Sequence, residues 1–124
     1  MILEVDPNSA VPPYEQLRQQ VTALVVGGAL DVGARLPSIR QLANDLGLAG
    51  GTVARAYREL ERDGVVASRG RHGTVIVGPP DGPAPSPALL AAARRYAVHA
   101  SGAGASVDDA VTAVRVAFAL GRNP

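Results

Sequence analysis

Behind Pro12-Pro13, apolar residues recur three and four positions apart at Tyr14, Leu17, Val21, Leu24 and Val25. This spacing predicts an amphipathic helix ending at Gly27-Gly28, with proline in its first turn and glycine past its end. A β-like start at Ile2, Leu3 and Val5 precedes it, and Leu30, Val32 and Leu36 are expected to cross back toward the core. Ser38-Ile39-Arg40-Gln41 then has the spacing of a capping box, in which the serine accepts from a backbone N–H while the glutamine reaches back. A second helix should start there, carry Ile39, Leu42, Ala43 and Leu46 as one apolar stripe, and end at a left-handed Gly47. A third should run from Gly50 or Gly51 to Asp63 and stop at Gly64. Val53, Ala56, Tyr57 and Leu60 lie on its buried face, whereas Thr52, Arg55 and Glu59 share another that is available to a partner.

The period changes after Gly64. Val65 to Ser68 and Thr74 to Val77 are β-branched runs around Gly70-Arg71-His72-Gly73, which predicts a hairpin with a slightly long turn. Gly78 to Pro87 is rich in proline, lacks hydrophobic periodicity and reads as a semi-extended linker. Two helical patterns follow. One starts at Ser86-Pro87, carries Leu89, Leu90, Ala93 and Tyr96 and ends near Gly102. The other starts at Ser106-Val107-Asp108-Asp109, carries Val107, Val111, Val114 and Phe118 and ends at Gly121. Two such helices bury little by themselves, so the tail is expected to pack against a second copy of the chain. The domains expected are residues 1–78, a linker over 79–87 and a short helical tail over 88–124. The fold class is mainly α with a small β-hairpin.

With 124 residues and 47% hydrophobic content, the chain has room for one domain with a real core and a modest appendage. The absence of cysteine excludes disulfides and thiolate metal sites. The N-terminal MILEVDPNSA has neither a basic leader nor an apolar run of signal length, and no stretch approaches the roughly 20 apolar residues of a membrane span. Cytoplasmic residence without membrane contact is therefore expected. Catalysis finds little support, because the only histidines are His72 and His99 and no acidic cluster has metal-ligand spacing. No enzymatic activity, cofactor or metal is expected.

Charge changes the picture more. Twelve basic residues against eleven acidic ones leave a net charge of +1, which gives bulk electrostatics little part in binding nucleic acid. All twelve are arginine, whose guanidinium can bond a phosphate or a guanine edge bidentately. Arg58 and Arg62 have acidic neighbours three or four residues away and read as a solvated helix face. Arg55 shares the face of Thr52 near the start of its helix, where a reading helix touches base edges. Arg69, Arg71 and His72 flank the hairpin tip; beside a two-helix reader, that cationic turn suits a phosphate backbone or minor groove. For Arg40, periodicity leaves a solvated position and a further DNA contact equally open.

LPSIRQLANDLGL, TVARAYRELERDGVV and GRHGT together resemble the winged helix-turn-helix of GntR-family transcription regulators. The resemblance extends upstream to VPPYEQLRQQVTALVVGGAL and so covers about two thirds of the chain. PPYEQ and ARAYRELE resemble the YtrA-like branch, whose effector part is short and helical. The resemblance implies that Arg40 contacts DNA, that Ser38 approaches a phosphate, that Thr52 and Arg55 enter the groove, and that Arg71, His72, Gly73 and Thr74 form the wing. The chain departs from the family pattern at Ala49-Gly50-Gly51, where relatives usually carry a polar residue, an arginine or proline, and another polar residue. Either the backbone N–H groups of Gly50 and Gly51 bind phosphate directly, the preferred reading, or fewer bases are read.

The expected function is that of a homodimeric, sequence-specific regulator, a repressor, acting on an inverted repeat of double-stranded DNA, with room for an unidentified small-molecule effector. The alternative is a winged-helix protein-interaction module, which the near-zero net charge favours.

Overall fold

Proline opens the first helix, and serine and glycine bracket the second. The computed structural model describes residues 2–80 and 85–122. Helix α1 (Pro13–Val26) places Pro13 in the turn whose N–H groups have no intrahelical acceptor, so the missing donor costs nothing there. It buries Leu17 and Val21. Helix α2 (Ile39–Leu46) is capped by Ser38, whose oxygen accepts from the Gln41 backbone N–H at 3.1 Å, and it ends at Gly47 with φ +66°. Ser38→Ala should cost about 1 kcal/mol through the lost cap, seen as a lower urea midpoint with an unchanged m value. The reciprocal half of the expected capping box is not formed. The Gln41 side chain donates to the Asp45 carboxylate at 3.1 Å, one turn further on, where a charged acceptor makes the stronger bond.

Helix α3 (Gly50–Arg62) buries Val53, Ala56, Tyr57 and Leu60, the face its periodicity predicts. Gly64, at φ +79°, then turns the chain into strand β1 (Val66–Ser68), which pairs antiparallel with β2 (Thr74–Ile76). Val66 faces Ile76 and Ser68 faces Thr74, with one 3-10 turn at Gly70–His72 between the strands. The two ends predicted as strand at Val65 and Val77 still bond each other, Val77 N–H to Val65 O at 2.8 Å.

A segment without strand periodicity lies along the other edge of β2. Gly33 donates to Ile76 O, Ile76 to Ala34 O and Leu36 to Thr74 O at 2.8–2.9 Å, with Arg35 opposite Val75. Leu3, Leu17, Val21, Leu36, Leu42, Val53, Leu60, Val65 and Ile76 belong to one buried cluster beneath these elements.

Two expectations fail here. Ile2, Leu3 and Val5 form no strand: the Gln20 side-chain amide of α1 bonds both the N–H and the carbonyl of Glu4, and Gln16 does the same for Asp6. A helix side chain thus occupies the backbone groups that a strand partner would have used, and only Leu3 is buried. Val32 does not return to the core either. It is 70% exposed, in the turn that Gly33 makes with φ +91° before Leu36 is buried.

The chain divides into two compact units between Ala84 and Pro85. Residues 81–84 of the predicted linker lie outside the described residues. The second unit holds α4 (Pro87–Gly102), capped by Ser86, and α5 (Val107–Arg122), capped by Ser106 and Asp109 bonding each other's N–H groups at 3.1 Å. The Tyr96 hydroxyl donates to Ala110 O at 2.8 Å and ties the two helices together. Leu89, Val107, Val111, Val114 and Phe118 remain exposed.

Candidate nucleic-acid interface

The residues singled out by sequence fall into three groups within the first unit. Ser38 and Arg40 stand at the start of α2, Gly50, Gly51, Thr52 and Arg55 in the first turns of α3, and Arg71, His72, Gly73 and Thr74 at the hairpin tip. Arg40 and Arg71 are exposed and make no hydrogen bond or ion pair through their side chains among the described residues. Their guanidinium groups keep a full set of donors.

Arg55 is also exposed, yet it is held: its Cζ lies 3.8 Å from the centroid of the Tyr14 ring. Stacking on the ring face attracts the cation and leaves the edge of the guanidinium, where the N–H donors lie, free to bond. Tyr14 itself packs against the core cluster, so the platform is anchored.

At the N-terminus of α3, Ala49 supplies no side-chain cap. Gly50 and Gly51 have no positive φ, and a Cβ on either would meet no atom within 4 Å. The fold therefore does not itself require glycine at these positions.

The hairpin tip is fixed from below. Arg35 donates from Nε to His72 O at 2.6 Å and from Nη2 to Arg71 O at 2.9 Å. Gly73, at φ +71°, occupies the left-handed region, and a Cβ there would lie 3.5 Å from Arg35 Nε. The positive φ is what calls for glycine here, since a Cβ at that distance would make only an ordinary contact with the guanidinium.

Other charges are spent inside the unit. Arg18 donates to Asp63 and to Glu15, each at 2.8 Å, joining α1 to the end of α3. The Asp63 hydrogen bond first, and the Glu15 bond second, raise its pKa and hold it firmly charged. Arg62 approaches Glu59 at 3.9 Å, as its spacing suggests, whereas Arg58 has no ion pair among the described residues. Burial pushes the Tyr57 hydroxyl up to about 12, so it stays a neutral donor, bonding Pro37 O at 2.7 Å. That bond ties α3 to the segment entering α2.

Tyr14 and Arg35 belong to this surface without a local signature in the sequence. Helical spacing places Tyr14 with the apolar stripe of α1, and Arg35 sits outside every periodic element, with its partner 37 residues away in the chain. Among the described residues no three His, Cys, Asp or Glu side chains gather as a metal site, and no helix is long and apolar enough to cross a membrane.

Two helices joined at a left-handed glycine and followed by a β-hairpin make this a winged helix-turn-helix. The family described as bacterial regulatory proteins, gntR family, matches residues 13–76, and the chain belongs to that family. The HTH-type transcriptional regulator Rv1152 of Mycobacterium tuberculosis is 46% identical over 111 residues, 88% of either chain. The HTH-type transcriptional repressor YtrA of Bacillus subtilis is 40% identical over 75 residues, which are 60% of this chain and 58% of that one. The solved structure of YtrA from Sulfolobus acidocaldarius, a GntR-family transcription factor, is 29% identical with a TM-score of 0.58, covering 81% of this chain and 99% of its own. The chain is thus a YtrA-like member of the family.

Proposed function

We propose that this protein is a cytoplasmic, sequence-specific transcriptional repressor that binds an inverted-repeat operator in double-stranded DNA as a homodimer. The observation that carries the reading is Arg55, exposed in the first turns of α3 and held on the Tyr14 ring with its donor edge free. Thr52 and Arg55 enter the major groove. Ser38, Arg40 and the backbone of Gly50 and Gly51 meet phosphates, and Arg71, His72, Gly73 and Thr74 bring the wing to the adjacent backbone. The two glycines support this role, since nothing within the fold demands them and a bare backbone lets a phosphate approach the helix N-terminus closely.

Residues 1–78 form the DNA-binding domain, 79–87 the linker and 88–124 the dimerisation tail. The exposed Val107, Val111, Val114 and Phe118, at successive helical spacings along α5, supply the apolar surface that a twofold contact needs. The same tail is the candidate place for a small-molecule effector.

Residues 1–84 carry eight arginines and nine carboxylates, so affinity depends on a few placed guanidinium groups rather than on net charge. Arg71→Ala should accordingly lower the slope of log affinity against log salt by about one unit. An unchanged slope would make the wing tip an ordinary polar turn without a phosphate contact.

Footprinting of purified protein on DNA upstream of its own gene, with sedimentation to count the copies bound, tests the whole reading. A symmetric protected site holding two copies is expected. No protection at low salt would favour the protein-interaction reading, to which the near-zero net charge also points.

A further inference from the structure

We infer that Arg35 is a positioning residue for the wing: a clip that sets Arg71 and His72 for phosphate contact without touching DNA itself. The inference rests on the DNA-binding reading above. Two of the guanidinium donors end on the carbonyl oxygens of Arg71 and His72, the two tip residues whose side chains are offered to the backbone. These bonds fix the peptide planes on either side of the His72 Cα, and so the directions in which both side chains leave the turn. They also cover two carbonyl dipoles whose negative ends would repel a phosphate. Gly73, at φ +71°, makes the turn that directly follows the two clipped carbonyls.

The clip is rooted outside the hairpin. Arg35 lies opposite Val75 in the backbone ladder, and Leu36 N–H bonds Thr74 O at 2.9 Å, so the guanidinium reaches the tip from a fixed base. Three residues later Ser38 caps α2. One short segment therefore holds the wing tip and starts the helix that carries Arg40.

The test combines proteolysis with salt-dependent binding, using the full chain. In free Arg35→Gln, trypsin should cut the Arg71–His72 bond about tenfold faster than in the wild type, as expected for losing charge-assisted bonds that hold the tip closed. The melting temperature reports that the fold survives. On operator DNA, Arg35→Gln should lower the salt slope by about one unit in the wild-type background, through loss of the Arg71 contact, and by nothing further in an Arg71→Ala background. Arg35→Lys keeps the charge but not the paired donors, and should fall with Arg35→Gln on both measurements.

Additive loss of slope in the double variant would make Arg35 a phosphate contact and overturn the proposal. So would a wild-type slope in Arg35→Gln, the result of a merely structural role, or full rescue by lysine. Unchanged cleavage would show that the clip does not hold the tip. If the wild-type chain bound no DNA, the DNA-binding reading would fail and the positioning role with it, while the cleavage rates would still decide whether Arg35 fixes the wing.

Discussion

Replacing Leu17 by alanine is expected to destabilise the first unit by about 2–5 kcal/mol, the cost of removing buried methyl groups and leaving a cavity. Leu17 is 1% exposed and belongs to the cluster that also holds Val53, Ala56 and Leu60 of α3. A domain of this size has only about 5–15 kcal/mol of stability in total. The loss is therefore a large fraction of it and should lower the thermal midpoint by at least about 10 °C. Urea unfolding of the variant gives the free energy directly. Ile2→Ala is the matched control: Ile2 is 82% exposed, and its truncation should stay within about 0.5 kcal/mol. A Leu17 variant as stable as this control would mean that α1 is not packed as described. Because α1 also carries Tyr14, loosening it should disturb the platform beneath Arg55.

Arg55→Ala should weaken operator binding by about 1–3 kcal/mol and relax the preference at one base pair of each half-site. The position along α3 points to base contact, and the stack on Tyr14 limits the directions in which the guanidinium can donate. A flexible arginine would have to lose that freedom on binding; a stacked one has lost part of it already. Selection from a random duplex library, performed with the wild type and the variant, measures both effects together. Equal loss of affinity for every sequence would reassign Arg55 to phosphate. Tyr14→Phe provides the companion result, since it keeps the ring face on which the cation rests and should retain the base preference.

What the amino-acid pattern revealed, and what it concealed, follows the range of the interactions. The three helices of the first unit were legible because their signals are local: Ser38 caps the helix it begins, Gly47 and Gly64 take positive φ where the periodicity stops, and Val53, Ala56, Tyr57 and Leu60 repeat on one face. The hairpin was legible for the same reason, from β-branched runs around a glycine-bracketed turn. The β-like start fails because Ile2, Leu3 and Val5 say nothing about Gln16 and Gln20, whose side-chain amides satisfy that backbone instead.

The candidate interface divides in the same way. Thr52, Arg55, Arg71 and His72 stood out by their place within helix and turn. Tyr14 and Arg35 act across 41 and 37 residues of chain, through a ring face and two carbonyl oxygens that no periodicity encodes. Arg18 shows the opposite effect. It adds to the basic total by composition, but Asp63 and Glu15 already hold its guanidinium, so it contributes little to a positive surface.

A two-stranded ribbon by itself is marginal in water, and its open edges invite pairing with strands from other molecules. Here the stretch from Gly33 to Leu36 closes one of those edges, so β2 offers no free edge to another molecule. A connecting loop thereby removes one of the two edges through which the wing could pair with a strand of another molecule.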